Sequence, residues 1–309
     1  MDLAAHLRTL AARERLSKRE LRSLSGLDPH DHATVWTEWQ RIPAGRRIEI
    51  AHAMVELAED NIDLDFTVMF QWLLDDADAT VRASAIEGLW ECDGLPVLRR
   101  MLALLHDPAG QVRAAAAMAL GRFAYMAEIE EIDAVYGQQV HDALLALIRD
   151  PAQPTEVRRR AIESAGYFAA SDAVQQQIEL AYASSDQLMR ESALTAMGRS
   201  MLPRWLPIVS RELESPSPAL RYEAARAAGE MADLARSLVA RVVRLCNDAD
   251  TEVALAAIWA LGQIGGETAR RTLQRMSGSD DEARSQAAAE ALDELTLEEG
   301  FSGGDWRNN

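Results

Sequence analysis

One short pattern returns seven times along this 309-residue chain, and a period near 31 residues leaves few folds open to it. With Val81, Val112, Val157, Met189, Leu220, Val253 and Ala283 as anchors, the separations are 31, 45, 32, 31, 33 and 30. Arginine follows the anchor in six cases (Arg82, Arg113, Arg158, Arg190, Arg221 and Arg284), Ala254 being the exception. Four positions beyond the anchor, alanine stands in all seven: Ala85, Ala116, Ala161, Ala193, Ala224, Ala257 and Ala287. Nine beyond, glycine stands in five: Gly121, Gly166, Gly198, Gly229 and Gly262.

The anchor and the positions four, five and eight beyond it share one face of a helix, and alanine in the middle of that face lets a neighbouring helix approach closely. A second apolar-periodic segment precedes each anchor, as in Phe66 to Leu74, Pro96 to Leu105, Gln139 to Ile148 and Glu267 to Met276. Short polar turns such as Asp75-Asp76-Ala77-Asp78 and Asn247-Asp248-Ala249-Asp250 join the two, with aspartates placed to cap the second helix. The unit is therefore a helix pair, and the late glycine either allows close packing or begins the exit turn. Composition agrees. The 54 alanines against 17 glycines and 10 prolines favour helix over strand.

The pattern V-R-x-x-A-x-x-A-L-G, whole in Val112 to Gly121, resembles the HEAT repeat and, at a period near 31, its short subclass first named for phycobilin lyases. The resemblance covers about residues 62 to 297. It implies an all-α fold, an α-solenoid or superhelix of about seven helix pairs. In that family an aspartate six before the arginine helps form a polar ladder between repeats. Asp76 with Arg82 and Asp107 with Arg113 keep the spacing. The other five repeats have Ala152, Ser184, Ser215 or Gly278 in its place, or Asp248 without its arginine, so the ladder is expected to be incomplete from the third repeat onward. The arginine column is read as structural, each guanidinium bonding turn carbonyls or acids at a repeat junction rather than a ligand.

Residues 1–61 do not fit the repeat register and are expected to form a helical amino-terminal cap on residues 62–297, with residues 298–309 a flexible tail. Ser17-Lys18-Arg19-Glu20 has the pattern of a capping box, and Pro43 opens a helix reaching about Glu59. Asp28 to His32 reads as a linker whose two histidines lack a third metal ligand. The 45-residue step carries extra residues placed at Ala124 to Gly137, either a projecting binding element or a lengthened turn between helices. Phe301 and Trp306 in the tail are a candidate docking motif.

In a HEAT-like stack the second helices line the concave face, which places positions two, six and ten after each anchor on it. Position two gives Ala83, Ala114, Arg159, Glu191, Tyr222, Leu255 and Ser285, and position six gives Glu87, Met118, Glu163, Thr195, Arg226, Trp259 and Ala289. Position ten gives Glu91, Arg122, Tyr167, Arg199, Glu230, Gln263 and Asp293. Leu255 and Trp259 lie four apart on one helix, Tyr222 and Arg226 four apart on its predecessor, so the four should form one patch. Tryptophan, tyrosine and arginine are the side chains enriched at binding hot spots, which makes this patch the candidate partner site. Its alternative is that Trp259 packs as core under the terminal repeat.

The formal charge of −17 is uneven: residues 51 to 100 carry −8, with three basic and eleven acidic side chains, while residues 201 to 250 are neutral. Nucleic acid is disfavoured by this balance, although Arg159, Arg199 and Arg226 leave room for a local contact. Arginine supplies all but one of the basic side chains, Lys18 being the only lysine, which removes the usual means for Schiff-base or P-loop chemistry. No histidine is followed by glutamate, so the His-Glu iron site of HEAT-like deoxyhypusine hydroxylases is not formed, and the basic groove of HEAT-like DNA glycosylases is missing. The acids of Glu59 to Asp65 lack the spacing of a calcium loop. Cys92 and Cys246 sit apart with neither a C-x-x-C nor a histidine cluster. No cofactor, metal or membrane span is expected, and neither is catalysis. The sequence predicts a cytoplasmic, non-catalytic scaffold or adaptor that binds another protein or peptide on the concave face of its solenoid. A bilin lyase or a chaperone for a chromophore-bearing protein is the alternative.

Overall fold

The computed structural model describes residues 3–13 and 15–302, with the side chains of 298–302 left aside. Its elements are helices throughout, and no strand occurs among the described residues. α1 (Leu3–Ala12), α2 (Lys18–Leu21), α3 (His32–Trp39) and α4 (Ala44–Asp60) come first. Seven helix pairs follow, as the repeat requires: α5 (Thr67–Leu73) with α6 (Ala79–Glu87), α7 (Leu95–Leu104) with α8 (Gly110–Glu128), and α9 (Ala134–Arg149) with α10 (Thr155–Ala165). Then come α11 (Asp172–Tyr182) with α12 (Gln187–Ser200), α13 (Leu206–Glu212) with α14 (Pro218–Glu230), α15 (Val239–Leu245) with α16 (Thr251–Ile264), and α17 (Glu267–Met276) with α18 (Glu282–Ser302). Aspartates start the second helices where expected. Asp78 accepts the Thr80 N–H and Asp250 those of Glu252 and Val253.

The fold is an α-solenoid, and its contacts divide it into residues 1–161 and 162–309. In the first unit α4 packs on α6 and α6 on α8, with α5 and α7 behind their own partners. In the second, α12, α14, α16 and α18 stack in turn. The small residues set the spacing. A Cβ on Gly166 would lie 2.7 Å from the Ala196 Cα, one on Gly198 2.8 Å from the Ala227 Cα, and one on Gly262 3.0 Å from the Ala291 Cβ. Gly166, Gly198 and Gly262 thus bury bare backbone against an alanine of the next second helix, and Gly229 against the Trp259 ring and Ala260, which selects close packing over the exit turn at these positions. The six anchors from Val81 to Val253 and the alanines four beyond them are buried. The seventh repeat departs: Ala283 is exposed, and Ala288, Ala291 and Leu295 form its buried face.

The polar ladder follows a different rule from the one expected. Arg82 Nη1 donates to the carbonyls of Asp76 and Ala77 in its own turn, while Nε and Nη2 grip Asp107 of the following turn at 2.9 and 2.8 Å. Arg221 repeats this, holding Ser215 and Pro216 carbonyls and gripping Asp248 with two bonds of 2.8 Å. These two arginines reach forward to the next turn's acid, so Asp248 needs no arginine in its own repeat, whereas Arg158 bonds the preceding Ile148 carbonyl and Arg284 reaches back to the Asp248 carbonyl. Arg113 finds Gln153 in the place of the forward acid at 3.0 Å, and Arg190 lies 3.7 Å from Glu212. From the third repeat onward the ladder is incomplete, as expected, but it keeps one full rung, Arg221 on Asp248, that the spacing within a repeat did not show.

The Arg221 guanidinium holds the Asp248 carboxyl below its ordinary range. At Asp107 burial pushes upward, but the Arg82 bonds and the Ala109 N–H outweigh it and the net shift is downward. A carboxylate whose folded pKa is depressed adds stability above its unfolded value of about 3.9, and that stability is lost as pH falls through the folded value. The urea midpoint is therefore expected to hold from pH 7 to about 5 and to drop below about pH 4. Arg221→Met should flatten part of that drop; an unchanged acid limb in this variant would show that the pair does not contribute.

The amino-terminal region departs from expectation in three ways. Asp28 to His32 is a 3-10 turn, Pro29–Asp31, leading straight into α3, and His32 stacks on Trp36 with its edge near Trp72. Ser17 precedes α2, but its side chain makes no cap bond, so the capping box does not form. Most telling, α3 and α4 behave as one more helix pair in register with the repeat. Arg47 donates to its own turn's Ile42 carbonyl and reaches forward to Asp76 of the next turn, and Ile50, Ala51 and Met54 supply the buried face. Pro43 does stand at the start of α4.

The extra residues between Val112 and Val157 are used as helix. α8 has 19 residues and α9 has 16, joined by the short turn at residues 129–133, so neither a separate binding element nor a long turn is present. At the other end α18 runs on to Ser302, through the boundary expected at 297. Phe301 lies among residues whose side chains are not described, and Trp306 lies outside the described residues.

Candidate protein-docking site

Of the four residues predicted to form a patch, Tyr222 and Arg226 lie on α14 and Leu255 and Trp259 on α16, and Arg226 meets Trp259. The Arg226 guanidinium sits 3.8 Å from the centre of the Trp259 ring, and the other edge of that ring covers bare Gly229, where an added Cβ would collide with it. Trp259, Tyr222 and Leu255 are each half-buried and pack on the hydrophobic core of their unit. Much of this surface is thus spent within the fold. Nearby, half-buried Glu223 lies beside Glu163 and Glu191; desolvation first, then those charges, push its carboxyl up, against the Thr195 hydroxyl bond that lowers it.

The other columns are less exposed than their positions imply. Ala114 and Glu163 are buried, the latter accepting the Ser192 hydroxyl at 2.6 Å. Arg159 and Arg199 are half-buried: Arg159 pairs with Glu156, while Arg199 donates to the Glu163 carbonyl and lies over the Tyr167 ring. The residues that left room for nucleic acid are therefore engaged within the fold.

A more open surface lies in the first unit, between α6 and α8. Ala83, Ile86, Trp90, Ala115, Met118 and Ala119 form a mainly apolar groove of about 460 Å³, bordered by His52, Glu87 and Arg122. Trp90 is 57% exposed and Met118 56%, unusual for side chains of this size. The cause is visible in the register. Trp90 stands nine after Val81, the position that holds glycine in five of the other repeats, and α6 already ends at Glu87. A tryptophan does not fit into a glycine-to-alanine contact, and with α6 ended at Glu87 its ring borders the groove between α6 and α8. Gly88 supports the turn, since the Phe70 ring fills the space that a Cβ there would need. The groove's volume is within the range of binding pockets, about 300–1,000 Å³. A second depression, of about 570 Å³ between α7 and α9, is bordered by His106, Asp142 and Asp150, and its Leu105 and Leu147 are buried. It offers no large exposed apolar side chain.

Sequence reasoning named Met118 in a column but missed Trp90. The break in the glycine column at the first repeat was the available signal.

Chemistry on this surface is sparse. No group of three or more histidine, cysteine or acidic side chains able to hold a metal occurs among the described residues. Cys92 and Cys246 are free, and burial pushes both thiols up, Cys246 to about 12, where the thiolate is scarce. No helix among the described residues is long and apolar enough to cross a membrane.

The family model for HEAT repeats matches residues 66–138 and 206–293, more than half of the chain, and the chain belongs to the HEAT-repeat family. No curated protein sequence matches it. Among solved structures it is similar to the CpcE and CpcF complex of phycocyanin lyase from Nostoc sp. PCC7120, with 18% identity, a TM-score of 0.49, and 74% of this chain and 94% of that one covered. It is also similar to the Kap95:Nup1 complex, with 15% identity, a TM-score of 0.49, and 97% and 47% coverage. The YibA protein of Escherichia coli is another likeness, with 19% identity, a TM-score of 0.44, and 78% and 96% coverage. These are likenesses of helical-repeat build.

Proposed function

We propose that the protein is a non-catalytic scaffold or adaptor that docks a segment of another protein on the face of its second helices, with the α6–α8 groove as the main contact. The reading rests on one observation above all: Trp90 and Met118 stand more than half exposed over an apolar groove on that face. Exposed aromatic and methionine side chains in a concave setting gain free energy when a partner covers them. Tyr222, Arg226, Leu255 and Trp259 are the lesser contact, because their apolar area is already half covered. The residues ahead of α3 cap the stack that α3 and α4 begin, and the two free thiols suit a reducing compartment.

The test uses the tagged full-length chain and quantitative mass spectrometry of co-purifying proteins. Trp90→Ala with Met118→Ala should reduce a specific partner by about tenfold or more, the loss expected for removing a hot-spot anchor. Trp259→Ala should reduce it less. An unchanged set of partners in the double variant, with the melting curve of the parent protein, would rule out the groove as the docking site.

A further inference from the structure

The groove carries a charge signature that specifies its partner further. Glu87 lies on its border and Glu91 follows one turn later, both exposed, and neither has an ion pair among the described residues. Arg122, the guanidinium that also lines the groove, lies 3.3 Å from Asp93, which is outside the lining. Glu87 is thus an uncompensated carboxylate on the border of an apolar floor, with exposed Glu91 four residues further along the chain, within the stretch that carries −8.

Resting on the docking reading above, we infer that the α6–α8 groove takes a basic amphipathic protein segment, one or two large apolar side chains seated against Trp90 and Met118 and Lys or Arg beside them on Glu87 and Glu91. Like charge would repel an acidic segment, and the same carboxylates disfavour nucleic acid and anionic membranes. The exposed indole face of Trp90 adds a site for a cation that bypasses the carboxylates. Attraction of this exposed kind acts mostly on the rate of encounter and weakens with salt, since the Debye length shortens from about 10 Å at 0.1 M to about 3 Å at 1 M.

The experiment uses three fluorescein-labelled peptide pools of equal length, each rich in Leu and Phe, with Lys and Arg, with Asp and Glu, or with Ser and Gln as the remaining residues. Anisotropy titrations are run on the full-length protein, on W90A/M118A and on E87Q/E91Q. The basic pool should bind best, lose about tenfold or more in W90A/M118A, and lose about threefold to tenfold in E87Q/E91Q together with part of its salt dependence. Acidic or neutral pools binding as well as the basic one, still sensitive to W90A/M118A, would overturn the charge inference and leave the docking reading standing. If no pool responds to W90A/M118A, the charge inference and the use of this groove both fall. Because Glu87 and Glu91 are exposed, E87Q/E91Q should keep the parent's melting curve, so a loss of binding in it reads as lost charge.

Discussion

Asp76→Ala is expected to loosen α3 and α4 from the first repeat by about 3–5 kcal/mol, the cost of leaving one member of a buried ion pair alone. The carboxylate is buried and accepts the Trp39 Nε1–H at 2.6 Å, the Arg47 Nη2–H at 3.1 Å and the Asp78 N–H of its own turn at 2.8 Å. With alanine there, a buried indole N–H and a guanidinium that is only 12% exposed lose their acceptor. In a stacked array each unit contacts only its neighbours, so the loss should be local. Hydrogen exchange of the α4 amides should speed up by about a hundredfold or more, with far smaller changes in α16. Asp76→Asn keeps one oxygen, for Trp39, but loses the charge and the acceptor that Arg47 Nη2 and the Asp78 N–H share, so its effect should be smaller than that of alanine, about 1–3 kcal/mol. Exchange in α4 that does not change in either variant would show that Asp76 does not fasten this pair.

Gly198→Val should lower stability by about 3 kcal/mol, a value at the upper end for overpacking, because the obstruction is backbone and cannot rotate away. A Cβ at Gly198 meets the Ala227 Cα at 2.8 Å and the Cβ atoms of Ala227 and Glu230 at 3.2 and 3.3 Å, so α12 and α14 would have to separate. Gly45 supplies the contrast. It lies in the first turn of α4, where a Cβ would meet no atom within 4 Å, and Gly45→Ala should stabilise by about 0.5–1 kcal/mol through helix propensity and reduced chain entropy. Urea melts of the two variants should move in opposite directions. A Gly198→Val protein as stable as the parent would mean that the glycine column does not set the spacing.

Much of the fold was legible in the sequence, including features that look incidental one at a time. The alanine four beyond each anchor and the glycine nine beyond it meet a neighbouring helix at a fixed distance, so steric need is written directly into those columns. The capping aspartates were legible for the same reason, since Asp78 and Asp250 act on amides two or three residues away. The ladder was legible only in part: Arg82 and Asp107 are visible as residues, but spacing within one repeat suggested Asp76 as the partner, when the bond runs forward to the following turn. The helix pair of α3 and α4 stayed hidden because Arg46 and Ile50 stand where other repeats have an apolar anchor and an alanine, and only the Arg47 bond to Asp76 reveals the register.

The candidate site was less legible. Trp259 and Trp90 both lie late in a repeat on a second helix or just past its end, and only Trp259 falls in a column placed on the concave face. Packing separates them. A neighbouring second helix with bare backbone at Gly229 receives the Trp259 ring, whereas Trp90 follows the end of α6 and is left 57% exposed.

By itself, the sequence determined the helix-pair unit, its repetition, the buried face of each second helix and the acidity of the early repeats, because those follow from local periodicity, side-chain size and charge. Only the tertiary structure decided which acid each arginine holds, that α3 and α4 continue the stack, and that Trp90 is left exposed while Trp259 is half covered. Those outcomes depend on where one helix ends relative to its neighbour, with partners separated by 25 residues in Arg82–Asp107 and 37 in Trp39–Asp76, beyond the reach of any local pattern.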